Sequence, residues 1–327
     1  MRKFLLSTSA LAGAALLSSA AIADVNISGT VEWEMISGDT DNAATDGTSM
    51  SMADEINIDF TNKTDSGLTI TFNADLNAGS GGVDDNSMSI SGGFGKLTVG
   101  NTDGAADAMA IDGKDLVAEE HGMSGTLNTT YNTIKQDTGS QLDGNDNKVT
   151  YMLPAMGGFS AGVSFADSGA NTSTDTTSFG AQYAMEANGA AVTIGYTSET
   201  EENATEDKDA RTIGAKVVMN GISFIANQMN YEENGEDQTG NSFGVAYTLP
   251  SGLSLGYATV TVEDDGATQT GEEFTANHYE AAYSIASGLS AVVTVSDYDY
   301  KVGTGSDASN KTADSGTISS FMLKAAF

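Results

Sequence analysis

The final eleven residues, TISSFMLKAAF (317–327), alternate along an extended chain: Phe321, Leu323, Ala325 and Phe327 fall on one side, with Ser320, Met322, Lys324 and Ala326 on the other. An apolar face on a last strand has to be covered by something, and no residue follows to cover it. The same period-two pattern recurs back along the sequence, in Val25, Ile27, Val31 and Trp33, in Ile56, Ile58 and Phe60, in Val192, Ile194 and Tyr196, and in Phe243, Val245 and Tyr247. Helical periodicity is scarce. The pattern predicts an all-β chain with one apolar face per strand.

The connections define the strand number. Seven short links carry strong turn chemistry: Asp65-Ser66-Gly67, Gly92-Gly93-Phe94-Gly95, residues 154–158, Asn188-Gly189, Asn220-Gly221, Pro250-Ser251-Gly252 and Ser287-Gly288. Longer polar stretches alternate with them, roughly 37–53, 78–86, 102–145, 168–176, 199–209, 233–239, 263–276 and 301–316. Strict alternation of eight long links with seven short ones implies sixteen antiparallel strands. A soluble sandwich would put Lys, Glu and Thr on its wet face, whereas here the polar face is small, as in Ser160, Gly162 and Ser164 or Thr193, Gly195 and Thr197. Small polar residues suit the water-filled inside of a barrel. An even strand number, strands of about 9–11 residues, and turns segregated by length are the requirements of a transmembrane barrel, with short periplasmic turns and long extracellular loops. Closure also removes the unpaired sheet edges that lipid cannot satisfy. On that reading Phe321, Leu323 and Phe327 face lipid on the closing strand. Phe327 sits in the periplasmic aromatic girdle, where it serves as an assembly signal for the outer-membrane barrel assembly machinery.

The N-terminus agrees with export. Arg2 and Lys3 precede an apolar run from Phe4 to Leu17, and Ala21-Ile22-Ala23 has the form of a cleavage site, so residues 1–23 read as a signal peptide and 24–327 as a single domain. Cysteine is absent, which excludes disulfides and cysteine metal sites. A formal net charge of −32 argues against nucleic acid as a partner and favours cations, or a polyanionic lipopolysaccharide surface bridged by divalent ions.

One connection, 102–145, is far longer than the others. It follows the stretch GGFGKLTVGNTDGAADA (92–108), which resembles the region before the constriction loop in Rhodobacter-type general diffusion porins of alphaproteobacteria. The resemblance implies a homotrimer of water-filled barrels in the outer membrane, each narrowed by a third loop folded inward, through which small hydrophilic solutes and ions diffuse passively. It also implies that loop carboxylates face basic residues across the pore. The loop acids are Asp103, Asp107, Asp112, Asp115, Glu119 and Glu120. Strand parity nominates Lys148 and Lys216, with Arg211 near a strand end, as a sparse basic wall, and Glu32, Glu34, Asp59 and Asp75 as inward carboxylates. Carboxylates lining a lumen favour cations, so weak cation selectivity is expected.

Catalysis has little basis in this sequence. His121 and His278 belong to no nucleophile or metal motif, and no cofactor is expected. The acidic runs Glu199, Glu201, Glu202, Glu206 and Asp207, and Glu263, Asp264 and Asp265, suggest loosely bound calcium at most, since neither has the spacing of a calcium loop. An exported acidic β-sandwich, such as a surface adhesin, is the competing architecture. It has no need of a terminal Phe.

Overall fold

A computed structural model describes residues 24–41, 46–77, 82–117, 138–144, 146–167, 174–202, 207–233, 236–266, 270–304 and 313–327. The expected signal peptide, and Glu119, Glu120, His121 and Glu206, lie outside these residues. The strands in chain order are β1 (Asp24–Thr40), β2 (Gly47–Lys63), β3 (Thr69–Asn77), β4 (Gly82–Gly92), β5 (Gly95–Thr102), β6 (Asp146–Met152), β7 (Phe159–Asp167) and β8 (Asp175–Ala187). They continue as β9 (Ala190–Glu202), β10 (Asp207–Met219), β11 (Ile222–Glu233), β12 (Glu236–Thr248), β13 (Leu253–Asp264), β14 (Glu272–Ala286), β15 (Leu289–Lys301) and β16 (Asp314–Ala326). Each pairs antiparallel with its sequence neighbours, and β1 pairs with β16, so the sheet closes into one barrel.

The seam is where the C-terminal pattern leads. Trp33 lies opposite Leu323, and the rings of Trp33 and Phe321 meet edge to face with centroids 6.2 Å apart. Phe327 donates its amide to the Gly29 carbonyl at 3.0 Å while its side chain stays 82% exposed on the outside. All seven short links join consecutive strands at one end of the barrel. Two of them have both central residues in the left-handed region, Asn188-Gly189 at φ 53° and 82° and Asn220-Gly221 at φ 53° and 80°, the backbone that a two-residue hairpin demands.

Strands at the other end run longer than sequence periodicity suggests: β1 and β2 have 17 residues each and β14 has 15. The described residues of the stretches 37–53, 199–209, 233–239 and 263–276 are therefore largely strand. The reason is an exchange of chemistry between the two faces. In β14 the lower outward residues are Tyr279, Tyr283 and Ile285, whereas the upper outward residues are Glu273, Thr275 and Asn277, with Phe274 and Ala276 buried inside. The lower part of the strand is apolar outward and the upper part apolar inward. Across β10 to β16 the inward upper residues, among them Met229, Tyr231, Val260, Phe274, Tyr300 and Ile318, form one buried cluster. Burial of each such side chain is worth about 1.5–3 kcal/mol. The expectation of a single apolar face per strand is corrected accordingly: above the lipid band, water lies outside and a packed core inside.

Candidate functional site in the barrel lumen

The link between β5 and β6 enters the barrel. Residues 103–117 carry two short 3₁₀ turns, Asp107–Met109 and Gly113–Leu116; the first packs on β8 and β9, the second on β11, β12 and β13. The described part of the return limb, 138–144, runs back toward β7.

Three buried carboxylates hold this loop to the wall. Asp143 accepts from the ammonium of Lys148 at 2.9 Å, from Ser178 Oγ at 2.6 Å and from the Ala106 amide at 2.9 Å, with Ser164 Oγ farther off at 3.4 Å. Asp112 ties the two limbs together and to β12, accepting from Thr138 N and Oγ1 at 3.1 Å each and from Ser242 Oγ at 2.9 Å. Glu199 accepts from Ser140 Oγ at 3.1 Å and from the amides of Gln141 and Leu142. From the wall, Asn227 Nδ2 donates to the Thr138 carbonyl at 2.6 Å and Gln182 Nε2 to the Met109 carbonyl at 3.0 Å. Backbone groups that the loop cannot pair within itself thus find side-chain partners on seven successive strands, β6 to β12.

Several sequence-based assignments change here. Asp112 is 3% exposed and is a clamp, so it does not line open water. Lys148 lies on the lumen face but inside an ion pair, with only 4% exposure. Arg211 points outward: β10 turns Ala210, Thr212 and Gly214 inward, which leaves Arg211 on the outer face beside Ile213, above the lipid band where water solvates it. The acidic run at the end of β9 keeps Glu199, a buried clamp, and Glu201, paired to Lys208 at 3.0 Å, on the lumen face, and turns the exposed Glu202 outward. Among the described residues no group of three His, Cys, Asp or Glu is placed to hold a metal ion.

The remaining assigned residues occupy the lumen face. Asp103, Asp107 and Asp115 present exposed edges on the loop. Burial in the confined lumen pushes the Asp107 carboxyl up to about 6, with Asp103 and Asp143 adding to the rise and Lys148 opposing it. Asp103 and Asp115 are raised too, with desolvation the leading cause. Opposite the loop, Glu32 and Glu34 on β1, Asp59 on β2 and Asp75 on β3 share the inward parity; Glu34 is buried, and Asn73 donates to Asp59 at 3.0 Å and to Asp75 at 3.2 Å. Lys216 is inward on β10, close enough to lower the charging cost of Asp115. The clamp Asp143 and the wall residues Ser178, Asn227 and Ser242 were not singled out from sequence, while Glu199 was read only as part of an acidic run and Ser164 only as a small residue of the lumen face; none carries a motif that announces a docked loop.

A closed sixteen-stranded antiparallel barrel with a loop laid along its inner wall defines a channel-forming outer-membrane protein. The chain matches the Gram-negative porin family over residues 7–304 and belongs to that family. No curated protein sequence matches it. Among solved structures, the trimer form of in-vitro folded OmpT from Vibrio cholerae aligns with a TM-score of 0.69 at 13% identity, covering 93% of this chain and 99% of that one. Salmonella typhi OmpF, in complex with daunomycin, gives 0.68 at 12% identity over 94% and 98%. A mutant of Rh. blastica porin gives 0.60 at 14% identity over 93% and 100%. At these identities the likeness is one of fold. The protein is a porin of the outer membrane, and the surface β-sandwich is set aside because the sheet closes on itself.

Proposed function

We propose that this porin is a weakly cation-selective diffusion channel for small hydrophilic solutes, narrowed by the 102–145 loop, with Asp103, Asp107 and Asp115 at its acidic edge. The observation that supports this best is charge pairing. Three lumen lysines are cancelled in place, Lys148 by Asp143, Lys208 by Glu201 and Glu233 at 3.0 and 3.2 Å, and Lys324 by Glu32 at 2.6 Å, while Lys216 lies near Asp115 of the loop. On the facing wall Asp59 and Asp75 both accept from the amide of Asn73, at 3.0 and 3.2 Å, which orders the two carboxyl groups side by side. On this reading acidic groups on both sides of the gap outweigh the transverse field suggested by the resemblance to Rhodobacter-type porins. Reversal potentials across a salt gradient test it: cation preference is expected at neutral pH, declining as pH falls through about 6, where the Asp107 carboxylate takes up its proton. Anion preference at neutral pH would overturn the reading.

The proposal extends to a homotrimer with β1 to β5 facing the other subunits. Outward tyrosines, which mark lipid interfaces, occur from Tyr151 on β6 to Tyr283 on β14, whereas no tyrosine precedes residue 131. The outer face of β1 and β2 instead shows Val25, Ile27, Met50 and Met52, and Asp54 sits between Met52 and Ile56, a poor position for a carboxylate against lipid. Unheated electrophoresis should show a three-chain species, which Met52→Arg reduces to single chains; a monomeric wild type would refute this assignment. Phe327 as the signal to the barrel assembly machinery, and lipopolysaccharide around the outward acidic rim, complete the proposed partners.

A further inference from the structure

Glycine inside a strand weakens it, because it gives up packing and costs backbone entropy. Yet β8, β9, β10, β12 and β13 each place a glycine on the lumen face directly beneath the loop: Gly180, Gly195, Gly214, Gly244 and Gly256. None of the five has positive φ, unlike Gly189 and Gly221 in the hairpin turns, so backbone conformation does not require them. What requires them is the loop. A methyl group on Gly214 would lie 2.6 Å from the Ile111 carbonyl oxygen, on Gly256 2.8 Å from that of Leu116, and on Gly195 2.9 Å from that of Met109. On Gly180 and Gly244 it would meet the carbonyls of Ala105 and Gly113 closer still. The obstacle in every case is backbone, which cannot rotate aside as a side-chain tip can. On β11 the neighbouring position of the same row is Asn227, opposite Gly214, and there the side chain itself bonds the loop.

We infer that these five glycines are positioning residues of the channel: they set how closely the loop lies on the wall, and therefore the cross-section left open beside β1 to β5. The inference rests on the loop being the constriction. A Cβ at any of these positions displaces a loop carbonyl toward the lumen, while the strand ladders are untouched.

The test is a set of single alanine variants of the full chain, checked for folding by heat-modifiable migration and then measured by single-channel conductance and by liposome swelling with neutral sugars of increasing size. Gly244→Ala and Gly180→Ala should lose most conductance, Gly214→Ala less, and Gly256→Ala and Gly195→Ala least. Gly144→Ala, in the same loop with open space around it, should match wild type. If the two severe variants do not fold, the order among the other three decides. Folded variants with wild-type conductance and swelling would overturn the inference. A loop deletion that also left conductance unchanged would overturn the constriction reading beneath it, so the two failures are separable.

Discussion

Asp143→Ala is expected to release the third loop from the wall without opening the barrel. The substitution leaves the Lys148 ammonium buried with its counter-ion gone, and removes at once the acceptor for Ser178 Oγ and the Ala106 amide. Loss of one partner of a buried pair costs about 3–5 kcal/mol, and here that cost falls on the contact between the loop and β6 to β8. The sixteen ladders between strands do not pass through Asp143, so heat-modifiable migration should persist. Protease added to the folded protein should cut between residues 102 and 145 far faster than in wild type, and open-channel noise should rise. Asp143→Leu combined with Lys148→Met should recover much of the resistance, because it removes the buried charge along with its partner. A single variant as resistant as wild type would show that the pair does not hold the loop.

Deleting residues 105–117 should raise single-channel conductance severalfold and weaken cation preference together. The segment covers the lumen face of β8 to β13 and carries Asp107 and Asp115, so its removal widens the passage and strips two carboxylates from its edge. Stepwise insertion of the deletion variant into planar bilayers, beside wild type, measures both. Unchanged conductance from folded protein would place the constriction elsewhere in the lumen.

Sequence periodicity predicted strand number and closure because both follow from local chemistry. Asn188-Gly189 and Asn220-Gly221 demand left-handed backbone, which few other residue pairs supply, so their hairpins are visible at a glance. Lipid imposes the outward Tyr, Phe, Ile and Val of the lower strands, which makes the alternation legible there. Beyond the lipid band that imposition ends. Residues such as Phe274 and Tyr300 turn inward while Thr275 and Asp299 face water, and a reader expecting one apolar face takes the strand to have stopped. Arg211 was misplaced in that zone: an outward cation is forbidden in lipid but is ordinary a few residues higher.

The functional loop was visible as a length and as a set of acids, and its docking was not. Alternation states which way a side chain points; it does not state what lies there. Asp112 and Asp107 are five residues apart in one loop, yet one is a buried clamp and the other has an exposed edge. The difference is made by Ser242 and Thr138, distant in sequence. The lumen glycines were read as room for water, a role that small side chains could share. Only the folded chain shows loop carbonyls against them. Sequence by itself determined the barrel, its closure at Phe327 and its acidic character, because each depends on local pattern or on composition. The tertiary structure decided which acids anchor the loop, which keep an exposed edge, and where the loop rests, because those depend on contacts between residues up to about 130 positions apart.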